Sequence, residues 1–176
     1  YRMGDKTYPL SHNRIRHIYE DKEQQLWIAT DGSINRYDYA TRQFIHYNIV
    51  DNTGTYNTNW TYYIFEDTAG QLWISTCLGG IFVVDKHKLM QSASGQYVAE
   101  QNYSVHNGLS GMFINQIIPD NEGNVWVLLY NNKGIDKINP RTREVTKLFA
   151  DELSGEKSPN YLLCDEDGML WVCLLY

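Results

Sequence analysis

Three cysteines are all this 176-residue chain contains: Cys77, Cys164 and Cys173. The number is odd and no Cys-x-x-Cys spacing occurs, so neither a disulfide framework nor a zinc site is indicated. All three lie in or beside expected strands and are read as buried structural thiols. If the turn between Cys164 and Cys173 is a simple hairpin, Cys164 faces Met169, and at roughly 3.3 Å per residue Cys173 lies too far along the strand for a bridge. Clusters of Lys and Arg are missing too, and the net charge is −6. Without a basic face, neither nucleic acid nor an acidic membrane surface is an expected partner. No apolar run approaches the roughly 20 residues of a membrane-spanning helix, and Tyr1-Arg2-Met3-Gly4-Asp5 is no signal peptide. The five histidines, His12, His17, His46, His87 and His106, show no metal-ligand spacing, and no Gly-x-Ser-x-Gly or similar nucleophile motif occurs. No catalytic residue, metal or cofactor is therefore expected, and the chain is not read as an enzyme.

What the sequence does contain is a repeat. Glu66-Asp67 to Leu72-Trp73-Ile74 returns as Glu20-Asp21 to Leu26-Trp27-Ile28, Pro119-Asp120 to Val125-Trp126-Val127, and Cys164-Asp165 to Leu170-Trp171-Val172. In each copy an Asp stands six residues before the Trp. Gly70, Gly123 and Gly168 stand three before it, where the first copy has Gln24. The Trp-to-Trp spacings of 46, 53 and 45 residues fall near the period of four-stranded propeller blades. Asp-x-x-Gly between two β-rich runs is a tight reversal, with Gly supplying positive φ and Asp accepting backbone hydrogen bonds within its own turn. Asp120 to Gly123 and Asp165 to Gly168 glance at a calcium loop but lack its later bidentate Glu. The strand after each turn is apolar at consecutive positions, so both of its faces are expected to be covered, as they are between stacked blades.

The fold expected is all-β: a β-propeller fragment of about three and a half four-stranded antiparallel blades. Residues 1–12 read as the tail of a preceding blade, because Leu10-Ser11 precedes Asp21 as Leu109-Ser110 precedes Asp120. Blades follow at 13–50, 51–105 and 106–153, the second with a third turn stretched by Lys88 to Gly95 and a fourth strand at Tyr97-Val98. Residues 154–176 read as the first half of a further blade. A meander stopping there leaves an unpaired edge and uncovered apolar faces, so the expected partners are the remaining blades of a parent propeller or a second copy of the chain.

Asn13, Ile15, Ile18, Asp21, Leu26-Trp27-Ile28-Ala29-Thr30, Tyr37-Asp38 and Phe44 to Tyr47, together with Gly70 and Gly79-Gly80-Ile81, resemble the two-component regulator propeller repeat. The resemblance runs through nearly the whole chain, departing at Gln24 for Gly, Leu129 for Thr and Asn139 where other units carry Asp38 or Asp85. It implies the periplasmic sensor region of hybrid two-component histidine kinases of gut bacteria, which detect oligosaccharides. In that family a transmembrane helix, kinase, receiver and DNA-binding domain follow, and the kinase activity lies outside this chain.

If strands alternate in direction, the loop leading into a blade and the loop after its Trp strand open on one face. Tyr56, Asn59, Trp60, Tyr130 and Asn131 are the candidate ligand-binding residues there, because aromatic rings beside amides suit a sugar ring. Trp60 is the one Trp outside the repeat. The alternative is that these residues cover blade edges and the chain serves packing and dimerisation alone. The structural repeat set is Asp21, Trp27, Asp67, Gly70, Trp73, Asp120, Gly123, Trp126, Asp165, Gly168 and Trp171. Each buried Trp contributes roughly 4 to 6 kcal/mol before entropy is subtracted. Replacing Trp73 with Ala is accordingly expected to cost about 3 to 5 kcal/mol through cavity formation, and a thermal melt unchanged by the substitution would contradict the blade arrangement.

Overall fold

The computed structural model describes residues 3, 9–92, 96–130, 134–149, 153 and 158–175. Four sheets follow one another along the chain. The first is β1 (Ile15–Glu20), β2 (Leu26–Thr30), β3 (Ser33–Asp38) and β4 (Gln43–Val50), paired antiparallel in that order. In the second, β5 (Thr61–Glu66), β6 (Gln71–Thr76) and β7 (Ile81–Asp85) lead into helix α1 (Lys86–Gln91) and two short strands, β8 (Gln96–Val98) and β9 (Gln101–Tyr103). The third comprises β10 (Ile114–Pro119), β11 (Val125–Leu129), β12 (Ile135–Asn139) and β13 (Glu144–Leu148), and the last is the hairpin of β14 (Ser158–Cys164) and β15 (Leu170–Leu175). The first strands β1, β5, β10 and β14 neighbour one another in sequence, so the sheets form an arc of propeller blades around the edge those strands make.

Each blade is started by the same device. The repeated Asp accepts two backbone N–H groups at one carboxylate oxygen and the indole Nε1–H at the other. In the second blade Asp67 Oδ1 lies 2.9 Å from the amides of Ala69 and Gln71, while Oδ2 lies 2.9 Å from Trp73 Nε1. Asp21, Asp120 and Asp165 hold Trp27, Trp126 and Trp171 in the same way, at 2.9, 3.2 and 2.7 Å. The reversal needs positive φ: Gly70, Gly123 and Gly168 have 77°, 83° and 81°, and Gln24 adopts 61° without the freedom of glycine. The carboxylate therefore sets turn and Trp rotamer together.

Apolar clusters fill the spaces between sheets. Trp27, Ile34, Tyr47, Ile64, Ile74 and Phe82 pack between the first and second, and Trp73, Ile81, Ile117, Val127 and Ile138 between the second and third. The third meets the hairpin through Leu128, Ile135 and Leu162. On the far face of the hairpin no sheet packs among the described residues, and Trp171 is 60% exposed with Tyr161, Leu163 and Met169 beside it, an uncovered apolar face of the kind expected for this half blade. The cysteines follow the same division. Cys77 is buried, Cys164 half-buried and Cys173 exposed, so the expectation of three buried thiols holds only for the first. Cys164 is opposite Leu170 rather than Met169 in the register, because Asp165 N–H bonds the Met169 carbonyl and draws Met169 into the turn.

The stretched third turn of the second blade behaves differently from the expectation. Tyr97-Val98 is not its fourth strand. These residues form β8, which runs parallel to β4 and adds a fifth strand to the preceding sheet, whereas Gln101–Tyr103 completes the second blade against β7. The physical reason lies in α1. Asp85 caps the helix through Lys88 N–H, and Leu89 is buried in the cluster between the first two blades. The chain therefore leaves the second blade on the side of the first. Lys86 extends this anchorage, its fully buried Nζ lying 3.1 Å from Asp21 Oδ2 and 2.9 Å from Glu66 Oε1. Burial opposes the Lys86 charge, but both carboxylates favour it and the net effect raises its pKa. Losing one partner of such a buried cluster costs about 3 to 5 kcal/mol.

Along the inner edge every first strand carries a register shift at the same place, between Ile15 and His17, Thr61 and Tyr63, Ile114 and Gln116, and Pro159 and Tyr161. Bulges of this kind bend a strand and re-aim its side chains. Residues just past the bulge reach to the next blade. Gln116 Oε1 accepts Leu162 N–H at 2.7 Å while its Nε2 donates to the Leu162 carbonyl at 3.0 Å. In the first blade His17 takes the same place, its Nδ1 accepting Ile64 N–H at 3.3 Å as the ring stacks on Tyr63 at 3.8 Å. The rings of Tyr19 and Tyr63 face the imidazole, and no carboxylate among the described residues pairs with it.

Burial lowers the His17 pKa below 6.5. A proton on Nδ1 would also oppose the Ile64 donor. The unfolded chain thus binds the proton more readily, and stability contributed by neutral His17 is lost as pH falls below the unfolded value of about 6.5 toward the lower folded one. The expected result is that His17→Gln, which installs the residue used at position 116, flattens the dependence of Tm on pH between about 7 and 5. Identical pH profiles for the two proteins would show that this seam does not titrate.

Candidate functional site

The loops leading into blades and the loops after the Trp strands do meet on one face, and backbone hydrogen bonds fix how. Asp31 N–H bonds the Arg14 carbonyl at 3.3 Å, Cys77 N–H that of Trp60 at 2.9 Å, and Tyr130 N–H that of Phe113 at 2.9 Å. Arg14, Trp60 and Phe113 are thus one repeat position, and Asp31, Cys77 and Tyr130 another. What differs from blade to blade is the side chain presented. The first blade presents charge: Asp31 is buried, with Arg16 Nε 2.7 Å from Oδ1 and Arg14 Nη1 3.2 Å from Oδ2. Burial opposes charge on Asp31, but the Arg16 hydrogen bond and the two guanidinium groups outweigh it and hold the carboxyl below its ordinary value. The second and third blades present rings.

Trp60 lies on a cavity of about 370 Å³ that is also lined by Tyr56, Asn57, Asn59, Leu78 and Gly79. Its ring is 47% exposed, and its backbone has a φ of 55°, a conformation that a bulky side chain rarely adopts. Two bonds hold it there: Trp60 N–H to the Asp31 carbonyl at 3.0 Å, and its own carbonyl to Cys77. A strained residue is kept in place only when its surroundings over-determine it. Gly79 makes the wall of this cavity, since a Cβ there would stand 2.6 Å from the Asn57 carbonyl oxygen. Asn57 Oδ1 accepts Asn59 N–H at 2.9 Å, and the side-chain amide of Asn59 makes no hydrogen bond among the described residues.

A second cavity of about 240 Å³ is lined by Tyr62, Cys77, Phe113, Ile114 and Tyr130, of which Tyr62 and Cys77 are near neighbours in sequence of Trp60 and Leu78 in the first. The Arg16 guanidinium sits 4.6 Å from the centre of the Tyr62 ring and holds it. Burial raises the pKa of the Cys77 thiol, so it stays protonated and acts as a small apolar wall. A third, polar cavity of about 550 Å³ lies beyond Tyr56, whose hydroxyl is 3.2 Å from His106 Nε2, and includes Glu100 and Arg143. Both carboxylates in it are committed elsewhere: Asp51 accepts Tyr56 N–H at 2.8 Å, and Glu100 accepts the Tyr97 hydroxyl at 2.8 Å. Among the described residues no three His, Cys, Asp or Glu side chains gather in a metal-binding arrangement.

Of the residues singled out from sequence, Tyr56, Asn59 and Trp60 therefore share one cavity, Tyr130 stands in the neighbouring one, and Asn131 lies outside the described residues. Sequence reasoning missed Phe113, Cys77 and Arg16. The signal for Phe113 was present, since it stands seven residues before Asp120 as Trp60 stands seven before Asp67. Met112 occupies the position of Asn13 and Asn59 and hides the alignment.

A repeated Asp-Trp hairpin and a face of variable loops define the class, and the chain carries two-component regulator propeller repeats where that family matches it, at residues 9–32 and 108–131. No curated protein matches the sequence. Among solved structures the chain is similar to the extracellular domain of BT4673 from B. thetaiotaomicron, with 96% identity over 99% of its length and a TM-score of 0.95. That protein is described once as a one-component and once as a hybrid two-component system, and the chain spans 24% or 23% of it in the two structures. The extracellular domain of the hybrid two-component system BT3049 from the same organism matches at 23% identity and a TM-score of 0.72, over 94% of this chain and 21% of that one. Virginiamycin B lyase from Staphylococcus aureus matches at 16% identity and a TM-score of 0.63, over 94% of this chain and 51% of that one, a likeness of fold alone.

Proposed function

We infer that this chain is part of the extracellular sensor region of a hybrid two-component system, held in the periplasm, and that its loop face receives an oligosaccharide. The kinase lies outside this chain. The observation that carries the ligand reading is Trp60, a ring held exposed at positive φ over a cavity whose rim offers the amide of Asn59, unpaired among the described residues. An aromatic face covers the C–H face of a pyranose, and adjacent amides orient its hydroxyls. The 96% identity to the extracellular domain of BT4673 supports the sensor reading. Isothermal titration with β-gluco-, manno-, xylo- and galacto-oligosaccharides of two to six units is expected to find one series that binds, and Trp60→Ala to weaken it about tenfold or more. Affinity untouched by that substitution, with an unchanged melt, would remove Trp60 from the site.

A second role is favoured by the outward faces of the arc. Tyr161, Leu163, Met169, Trp171 and Leu175 are exposed on the β14–β15 hairpin, as are Ile18 and Ile45 on the first sheet. Patches of this sort mark contact surfaces, and the partners proposed are further blades of the parent protein or, for this chain alone, a second copy. Light scattering over a range of concentrations is expected to show association to about twice 20.5 kDa. A monomer at the highest concentration would exclude pairing of these faces.

A further inference from the structure

The Trp60 cavity is not alone on its face, and the repeat explains why. Phe113 stands where Trp60 stands, one blade further on, and Tyr130 stands where Cys77 stands. Both rings are open to solvent, Phe113 at 43% and Tyr130 at 55%. They border the cup that Tyr62 and the buried Cys77 and Ile114 also line. The cup's volume of about 240 Å³ is below the roughly 300 Å³ at which ligand pockets usually begin. The cup and the Trp60 cavity share no lining residue, but Trp60 and Tyr62 stand two apart at the start of β5 and Cys77 and Leu78 are consecutive, so the two are lined by neighbouring residues of the second blade. Toward the first blade the pattern stops, because Arg14 and Asp31 occupy the equivalent positions and form an ion pair that Arg16 joins.

We propose that the Phe113–Tyr130 cup is a second subsite beside the Trp60 cavity, so that a glycan chain long enough to stack on both blades is bound more tightly than a shorter one. The proposal rests on the carbohydrate reading of Trp60. The rims of the two subsites differ in chemistry. The Trp60 cavity offers amides at Asn57 and Asn59, whereas the cup offers rings and a protonated thiol. A sugar unit in the first is therefore oriented by hydrogen bonds, and a unit in the second is held by stacking and tolerates more variation in its hydroxyls. The cup adds affinity by length rather than by identity of the terminal unit.

The test titrates β-gluco-, manno-, xylo- and galacto-oligosaccharides, each as a length series from two units to six, against the wild type, Trp60→Ala, Phe113→Ala and Tyr130→Ala, with melts of each variant as the folding control. Affinity of the wild type is expected to rise in a step at an intermediate length. Phe113→Ala and Tyr130→Ala are expected to erase that step, about threefold to tenfold, and to leave the shortest binding member unchanged. Trp60→Ala weakens every length. If Trp60→Ala weakens binding while affinity stays flat with length, or the cup variants bind long and short members as the wild type does, the second subsite is overturned and the Trp60 reading stands. If no member binds the wild type, both fall.

Discussion

One carboxylate per blade carries this fold. The Asp at the head of each repeat accepts the turn amides with one oxygen and the Trp indole with the other, so the reversal of the chain and the placement of its largest side chain are a single event. Removed from that bond, the indole N–H would be a buried donor without a partner, which costs about 1 to 3 kcal/mol. Because the Trp lies in the second strand, the bond fixes its indole within the packing between sheets, as at Trp27 and Trp73. Gln24 shows how strict the arrangement is, since a residue with a Cβ is driven to positive φ rather than the turn being given up.

The seams between blades use a second, smaller set of contacts. Gln116 and His17 stand just past equivalent bulges and bond the backbone of the following blade. Helix α1 and β8 tie the first two blades from the outside, and Lys86 ties them from within. Such polar links add little to the area already buried, but they set the register of one sheet on the next, because a slip of either blade would leave buried donors unpaired. The loop face inherits that precision: Trp60 is fixed by bonds to Asp31 in the first blade and to Cys77 in its own.

A repeat protein can vary one face while its packing is held, and the face here is varied in a graded way. Blade by blade, the two equivalent positions carry an ion pair at Arg14 and Asp31, a strained Trp beside a thiol, and then the two open rings of Phe113 and Tyr130. The acidic groups nearby, Asp31 and Asp51, are already saturated by partners of their own. Among the described residues, the Trp60 cavity and the Phe113–Tyr130 cup present aromatic surface and, at Asn57 and Asn59, amide.

The blades were legible in the sequence because their cause is local: Asp, Gly and Trp recur at constant spacing, and a six-residue turn needs no distant partner to form. The face could also be read in outline, since alternating strands bring inlet and post-Trp loops together, and Tyr56, Asn59 and Trp60 do line one cavity. Tertiary packing decided the rest. Tyr97-Val98 has the pattern of a fourth strand, but burial of Leu89 and Lys86 against the first blade carries it to β4. The exposure of Trp171 depends on whether a sheet lies against its face, although its motif matches that of the buried Trp27 and Trp73. Sequence alone determined how each blade begins, through contacts between residues six or fewer apart. Which blade a strand joins, and which rings remain open to solvent, was decided by contacts between blades some 45 residues apart, where the strength of a pairing depends on what else is already packed.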